Sequence, residues 1–325
     1  MPRPARELLI GAAILIALFA VPLWAWTANQ PFIITLASRI AILALAALGL
    51  NIALGLGGMV SFGHALFFGI GGYTAGILAQ HAFTGAPVLG LPGTNQMWVI
   101  WLVAMALAGL VAAGVGALSL RTSGIFFIMI TLAFAQMAFY FALSWPAYGG
   151  EDGLPILRRN AFPGLNTMRP WEFFLVAYGA LLAGLAVFAL IRASRFGAAL
   201  MAIRQNPDRV AAVGIDPFGV RLVAFVLSGM ITALAGALMA DLTRFVSPAM
   251  MAWPMSGELI VILILGGTGR LMGPVAGAAI LVGFEVFFGG LTEHWKLWLG
   301  LVLLAVVLFA RGGLIGLLAG KARHG

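Results

Sequence analysis

Asn51, Ser61, His64, Thr131, Gln136 and Glu258 are polar residues set inside runs that are otherwise apolar. Polar groups in hydrocarbon are costly and collect where they face a bundle interior or a water-filled route, so these are the candidates for a translocation path. Their chemistry is hydrogen bonding: hydroxyl, amide and imidazole groups that can hold an amide, a carboxylate or an ammonium in passing. Plainer uses stand beside this one. A lone His64 also serves as a hydrogen-bonded packing residue, and Glu258, near the start of its run, also suits a helix N-terminus. Ser61 and His64 share a face if their stretch is helical, whereas Thr131 and Gln136 are more than a turn apart and do not stack. Arg39, Arg244 and Glu285 are expected to snorkel to an interface. Catalysis has no footing, since G-x-S-x-G, H-E-x-x-H and close carboxylate pairs within a span are missing. The sequence has no Cys and only four scattered His, so no disulfide and no metal site is expected.

The elements that must position these residues are membrane helices. Apolar residues make up 62% of the 325 and charged ones 9%, against about a quarter charged in soluble domains. A soluble fold could not cover its surface with so few charges, so the solvent is lipid. Ten candidate spans follow from the apolar runs, at 8–26, 32–54, 59–80, 97–119, 124–144, 171–191, 220–240, 258–266, 272–290 and 297–310. The eighth is too short to cross alone and can form a re-entrant pair with the ninth. Arg3 and Arg6 precede the first run as in a signal peptide, but the run is long and no A-x-A site follows, so a retained span is expected. The expected fold is all-α and polytopic, one permease domain over 1–325. With the N-terminus inside, twelve of the 18 Lys and Arg fall on the cytoplasmic side, and both termini are cytoplasmic. The net charge of +8 is therefore a topology signal, and no nucleic-acid partner is expected. Residues 145–170 become an external loop and 192–219 a basic cytoplasmic one.

Glycines cluster in Gly55–Gly76 and again in the 265–283 run, in opposite halves of the chain. Paired, glycine-interrupted apolar segments point to a transport site made of broken helices, with Gly57, Gly58 and Gly63 in one run and Gly266, Gly267 and Gly273 in the other. Close helix packing uses the same residues, and the two uses are compatible.

The 194–216 segment, SRFGAALMAIRQNPDRVAAVGID, is expected to form two short helices. Residues 198–205 are good helix formers, Asn206 suits an N-cap with Pro207 at the first helical position, and Gly214 suits a helix end. Such short helices need a surface to pack on. Leu200, Met201, Ile203, Val210 and Val213 offer one side; Arg204, Gln205, Asp208 and Arg209 offer the other. Two readings stand: an element that docks a cytoplasmic partner, with Arg195, Gly197, Ile203, Arg204, Asn206, Asp208 and Gly214 as its core residues, or a basic loop lying on lipid headgroups. No P-loop is present: Gly320-Lys321 is followed by Ala322, and Ile315 stands where the first Gly belongs. Any ATPase is then a separate polypeptide. A gradient-driven transporter using Glu258 or His64 is the alternative.

Four blocks in order, GMVSFGHALFFGIGGY, RTSGIFFIMITLAFAQ, AIRQNPDRVAAVGI and ELIVILILGGTGRLMGPVAGAA, closely resemble the inner-membrane permeases of branched-chain amino-acid ABC transporters, in the longer, M-type subunit. The resemblance runs from about Ala41 to the RGGLIGLL at 311–318. It implies a second, related permease, two ATPase subunits that bind ATP and Mg²⁺, one of them at the 194–216 loop, and a periplasmic binding protein that delivers the solute. No cofactor sits on this chain, which is not itself an enzyme. Cargo in this family extends from leucine, isoleucine and valine to urea, short amides and aromatic or dicarboxylic acids. Two departures stand out: Ala199 and Met201 occupy positions where members often carry another Arg, and the external loop, after the G-G-x-x-G-L form at 149–154, has little family character.

Overall fold

In lipid a helix satisfies its own backbone groups, so apolar runs of this length become helices unless something interrupts them. The computed structural model describes residues 3–85, 87, 92–291 and 294–309. Its helices are α1 (Arg3–Thr27), α2 (Pro31–Leu50), α3 (His64–Thr84), α4 (Met97–Ser119), α5 (Ile125–Leu143), α6 (Pro170–Ala193), α7 (Arg195–Gln205), α8 (Pro207–Ala212), α9 (Pro217–Thr243), α10 (Trp253–Gly266), α11 (Gly273–Gly289) and α12 (Trp295–Phe309). A π-helical segment, Asn51–Leu56, prolongs α2. Two short strands, β1 (Leu154–Pro155) and β2 (Phe245–Val246), pair antiparallel. Among the described residues, 6 helices are long and apolar enough to cross a membrane: α1, α2 with its π continuation, α4, α5, α6 and α9. The glycine-rich α3 is not among them, and α10, α11 and α12 are shorter apolar helices. The C-terminal block at 311–318, the Gly320-Lys321 pair and the placement of the C-terminus lie outside the described residues.

Helix α9 is the hub, packed on α2, α3 and α4, while α2 also packs on α6 and α11. The α3–α9 crossing is close because it has no side chains in the way. A Cβ on Gly71 would strike the Ala233 carbonyl, and one on Gly236 would strike the Phe68 carbonyl, so small residues let the two backbones touch.

The helices break at both glycine clusters and at one further place. The chain leaves the helix at Leu56, stays non-helical through Gly63 and resumes at His64, so the third helix starts five residues later than the hydropathy suggests. Gly58 takes φ +70°, open to glycine at little cost. Ser61 thus lies before α3, not on a shared helical face with His64. A break without clustered glycines falls between α9 and α10, at Arg244 (φ +55°), β2 and a 3₁₀ turn at Pro248–Met251. Helix α10 then begins at Trp253 with Pro254 in its first turn, which puts Glu258 in the second turn and away from the helix N-terminus. At the second glycine cluster, Gly266, Gly267 and Gly273 break the helix as a turn between α10 and α11, where a Cβ on Gly266 would strike the Gly273 carbonyl and one on Gly273 the Gly267 carbonyl. Arg39 and Glu285, expected at an interface, instead form an ion pair at 2.8 Å between α2 and α11.

Candidate functional site

The Gly57–Gly63 interruption leaves backbone groups without helical partners, and buried groups of that kind must be paired. Side-chain hydroxyls pair them. Ser256, in the first turn of α10, donates to the Phe62 carbonyl at 2.7 Å and accepts the Ala65 N–H at 2.8 Å. Thr131, on α5, accepts the Phe62 N–H at 3.3 Å and donates to the Ile128 carbonyl at 3.0 Å. Ser61 accepts the Gly63 N–H at 3.1 Å, and Gly63, which precedes α3, packs against Thr131. One turn deeper, Ser228 on α9 donates to the Gly49 carbonyl at 2.6 Å and lies 2.6 Å from His64 Nε2. With its hydrogen spent on Gly49, Ser228 accepts from the imidazole, which assigns the Nε2–H tautomer. The ring sits edge-on to Phe67 and Phe225, and its Nδ1 is buried with no partner. Ser61, His64, Thr131, Ser228 and Ser256 are all fully buried. Two helix N-termini, those of α3 and α10, therefore meet at a sealed cluster of hydroxyls. Such a junction favours an anionic group such as a carboxylate.

At the far end of the π segment, Asn51 joins this interruption to the α10–α11 turn. Its amide donates to the Arg270 carbonyl at 2.9 Å and accepts the Gly269 N–H at 2.8 Å, so Asn51 ties the two segments together. The α7–α8 loop closes on the same place. Arg204, expected to face outward, turns its guanidinium back to the Gly55 carbonyl and lays its stem over Gly58. A cavity of about 140 Å³ lies beside it, lined by Gly58, Met59, Thr122, Phe127 and Arg221.

Local signals build the loop itself. Ser194 caps α7 through the Gly197 N–H, and Asn206 caps α8 through the Arg209 N–H. Gly197 packs where a Cβ would strike the Ile191 carbonyl, and Gly214 follows α8 at φ +85°. Leu200, Ile203 and Val210 are buried and Met201 half-buried, but Val213 is 74% exposed, because α8 ends before it. Arg195, Gln205, Asp208 and Arg209 are exposed, and so is Arg204 even though it bonds Gly55.

Two candidates stay apart from the hydroxyl cluster. Gln136 is half-buried on α5, more than a turn beyond Thr131. Glu258 is within electrostatic reach of Arg39, Glu285 and Lys296 instead. Sequence reasoning missed Ser228 and Ser256. Ser228 and Thr232, four apart in an apolar helix, carried a signal, since such a pair lies on one face; Ser256 beside Pro254 marked a helix start. It also missed Asp241 and Asn160, both fully buried.

Comparison with known proteins places this architecture. The family described as branched-chain amino acid transport system / permease component matches residues 32–311. The chain belongs to this permease family. The permease is 26% identical to the high-affinity branched-chain amino acid transport system permease protein LivM of Salmonella typhimurium and to that of Escherichia coli, in each case over 94% of this chain and 76% of the relative. It is 28% identical to the autoinducer 2 import system permease protein LsrC of Yersinia pseudotuberculosis over 55% of this chain and 53% of that one. No solved structure matches. The chain is thus a multi-pass ABC importer permease of the longer type, which displaces the gradient-driven alternative.

Proposed function

We propose that this permease carries branched-chain amino acids or a related small solute (an amide, urea, or an aromatic or dicarboxylic acid) across the bacterial inner membrane, as one of two related permease chains. Two cytoplasmic ATPases bind ATP and Mg²⁺, one of them on the α7–α8 loop, and a periplasmic protein delivers the solute. The whole chain is one permease domain with about ten crossings, α10 counted as a half-crossing. Residues 192–219 and both termini are cytoplasmic and 145–170 external, in line with the excess of Lys and Arg on the loop side.

One observation carries the mechanism: the bond from Arg204 to the Gly55 carbonyl. It fastens the docking loop to the end of the π segment, so a push on α7 and α8 is delivered to the Gly57–Gly63 interruption. When an ATPase moves the loop, Arg204 and Asn51 move that interruption against the α10–α11 turn. The clasp at Ser256 and Thr131 then parts, and Ser61, Thr131, His64 and the two helix N-termini become available to the solute. Asp208, Arg195 and Arg209, which point outward, face the ATPase.

Arg204→Ala in the reconstituted transporter should lower ATP-driven uptake at least tenfold while the ATPases still co-purify. Arg204→Lys keeps the charge without the fork and should recover only part. Full uptake in Arg204→Ala would remove the coupling role.

A further inference from the structure

The 145–170 segment is fastened to the last turn of α9 by a buried pair that neither the clasp nor the docking loop uses. Asp241 and Asn160 are both fully buried. Asp241 Oδ1 accepts twice from Asn160, from its backbone N–H at 3.2 Å and from Nδ2 at 2.7 Å. The remaining oxygen of each side chain, Asp241 Oδ2 and Asn160 Oδ1, is buried without a partner. Buried polar atoms are nearly always paired, and two leftover acceptors on groups already joined through an amide are one hydrogen short.

Arg159 is within electrostatic reach of this carboxyl but makes no hydrogen bond to it. Its Nε, Nη1 and Nη2 donate to the backbone carbonyls of Asp241, Thr167 and Leu242, at 3.1, 3.0 and 3.3 Å, and the guanidinium stands 4.7 Å over the Phe173 ring. Its charge serves the C-terminal carbonyls of α9. Those same carbonyls make the last turn a poor place for an anion, since they carry the negative end of the helix dipole. A buried charge without a bonded counter-ion is costly, whereas a neutral acid that gives its hydrogen to an acceptor is not.

We infer that Asp241 carries a proton on Oδ2 and donates it to Asn160 Oδ1, closing a neutral acid–amide ring that locks the 145–170 segment onto α9. Asp241 is then a positioning residue for transport. From it the chain passes Arg244, pairs β2 with β1 at Leu154↔Val246 and enters α10, whose Ser256 holds the clasp. Losing the proton to water leaves an anion and two acceptors face to face, and the lock opens. The charged and titratable groups on the elements packed around it are Arg159 on the segment itself and Arg244 at the end of α9, within electrostatic reach of Arg159. Glu172 on α6 is held by Asn166 and Arg169, and His81 on α3 is bonded to Tyr148.

The test is infrared spectroscopy of the purified full chain at neutral pH, wild type minus Asp241→Asn. A protonated carboxyl C=O stretch that is lost in the variant is expected; no lost band means an ionised Asp241 and overturns the inference. In the reconstituted transporter, an arm that rests on the permease reading, wild-type uptake should fall as pH rises with the slope of one proton. Asp241→Asn keeps both ring bonds at every pH and should transport without that slope, while Asp241→Ala should lose uptake throughout. An Asp241→Asn profile with the wild-type slope also overturns the inference. A wild type that shows the band but transports at no pH counts against the permease reading and leaves the proton standing.

Discussion

At the scale of single residues, the hydroxyls at the helix interruption act as substitutes for missing helical hydrogen bonds. Ser256 alone serves two backbone groups, the Phe62 carbonyl and the Ala65 N–H. Ser256→Ala leaves both buried and unpaired, at a cost of about 1–3 kcal/mol per group. Reversible unfolding in detergent should register a loss of about 2–6 kcal/mol for Ser256→Ala, the sum over both groups, and a smaller one for Ser256→Thr, which retains the hydroxyl. Equal stability of Ser256→Ala and wild type would show that the clasp contributes nothing. That these residues would matter was partly legible: Ser61, His64 and Thr131 stood out as polar groups in apolar runs. Their partners were not, because Ser256 and Ser228 lie 191 and 164 residues from Ala65 and His64, and a hydroxyl's partner depends on which helix comes to lie beside it.

Among the elements, the most demanding contact is the crossing of α3 and α9. Gly71 and Gly236 each face a carbonyl of the other helix, whereas Gly114 on α4 and Gly179 on α6 have nothing within 4 Å of an added Cβ. Gly71→Ala and Gly236→Ala should each cost about 1–3 kcal/mol through overpacking. Gly114→Ala and Gly179→Ala should be neutral or gain up to about 1 kcal/mol, because alanine loses less entropy in a helix. The same unfolding assay separates the two pairs; a similar response from all four would mean that α3 and α9 do not touch through backbone. The sequence showed a glycine cluster and two uses for it. Which glycine packs, which breaks a helix and which turns the chain depends on the neighbour each meets. Gly266 and Gly273 break the helix as a tight turn, and a further break at Arg244–Ala252 uses no glycine.

For the molecule as a whole, the proposed orientation puts the 145–170 segment outside and the α7–α8 loop inside. The chain has no Cys, so single cysteines report sidedness without background. Leu157 and Val213 are exposed, at 62% and 74%. In right-side-out vesicles a membrane-impermeant maleimide should label Leu157→Cys and spare Val213→Cys; in inverted vesicles the pattern should reverse. Labelling of both from one side would refute the orientation.

Composition and local pattern determined the solvent, the helical class, most of the helix ends and the two capped helices of the 194–216 loop. Each of these rests on interactions within a few residues: apolar content sets where a backbone must bond to itself, and a Ser or Asn at a helix start finds its N–H two or three residues on. Tertiary structure alone decided that Arg204 turns inward to Gly55, that Asn51 is a tie across to the α10–α11 turn, and that Asp241 meets Asn160. Those contacts join residues 149, 219 and 81 positions apart. They form because helices driven together by close packing bring unpaired polar groups face to face, and no local property of the chain records which groups those will be.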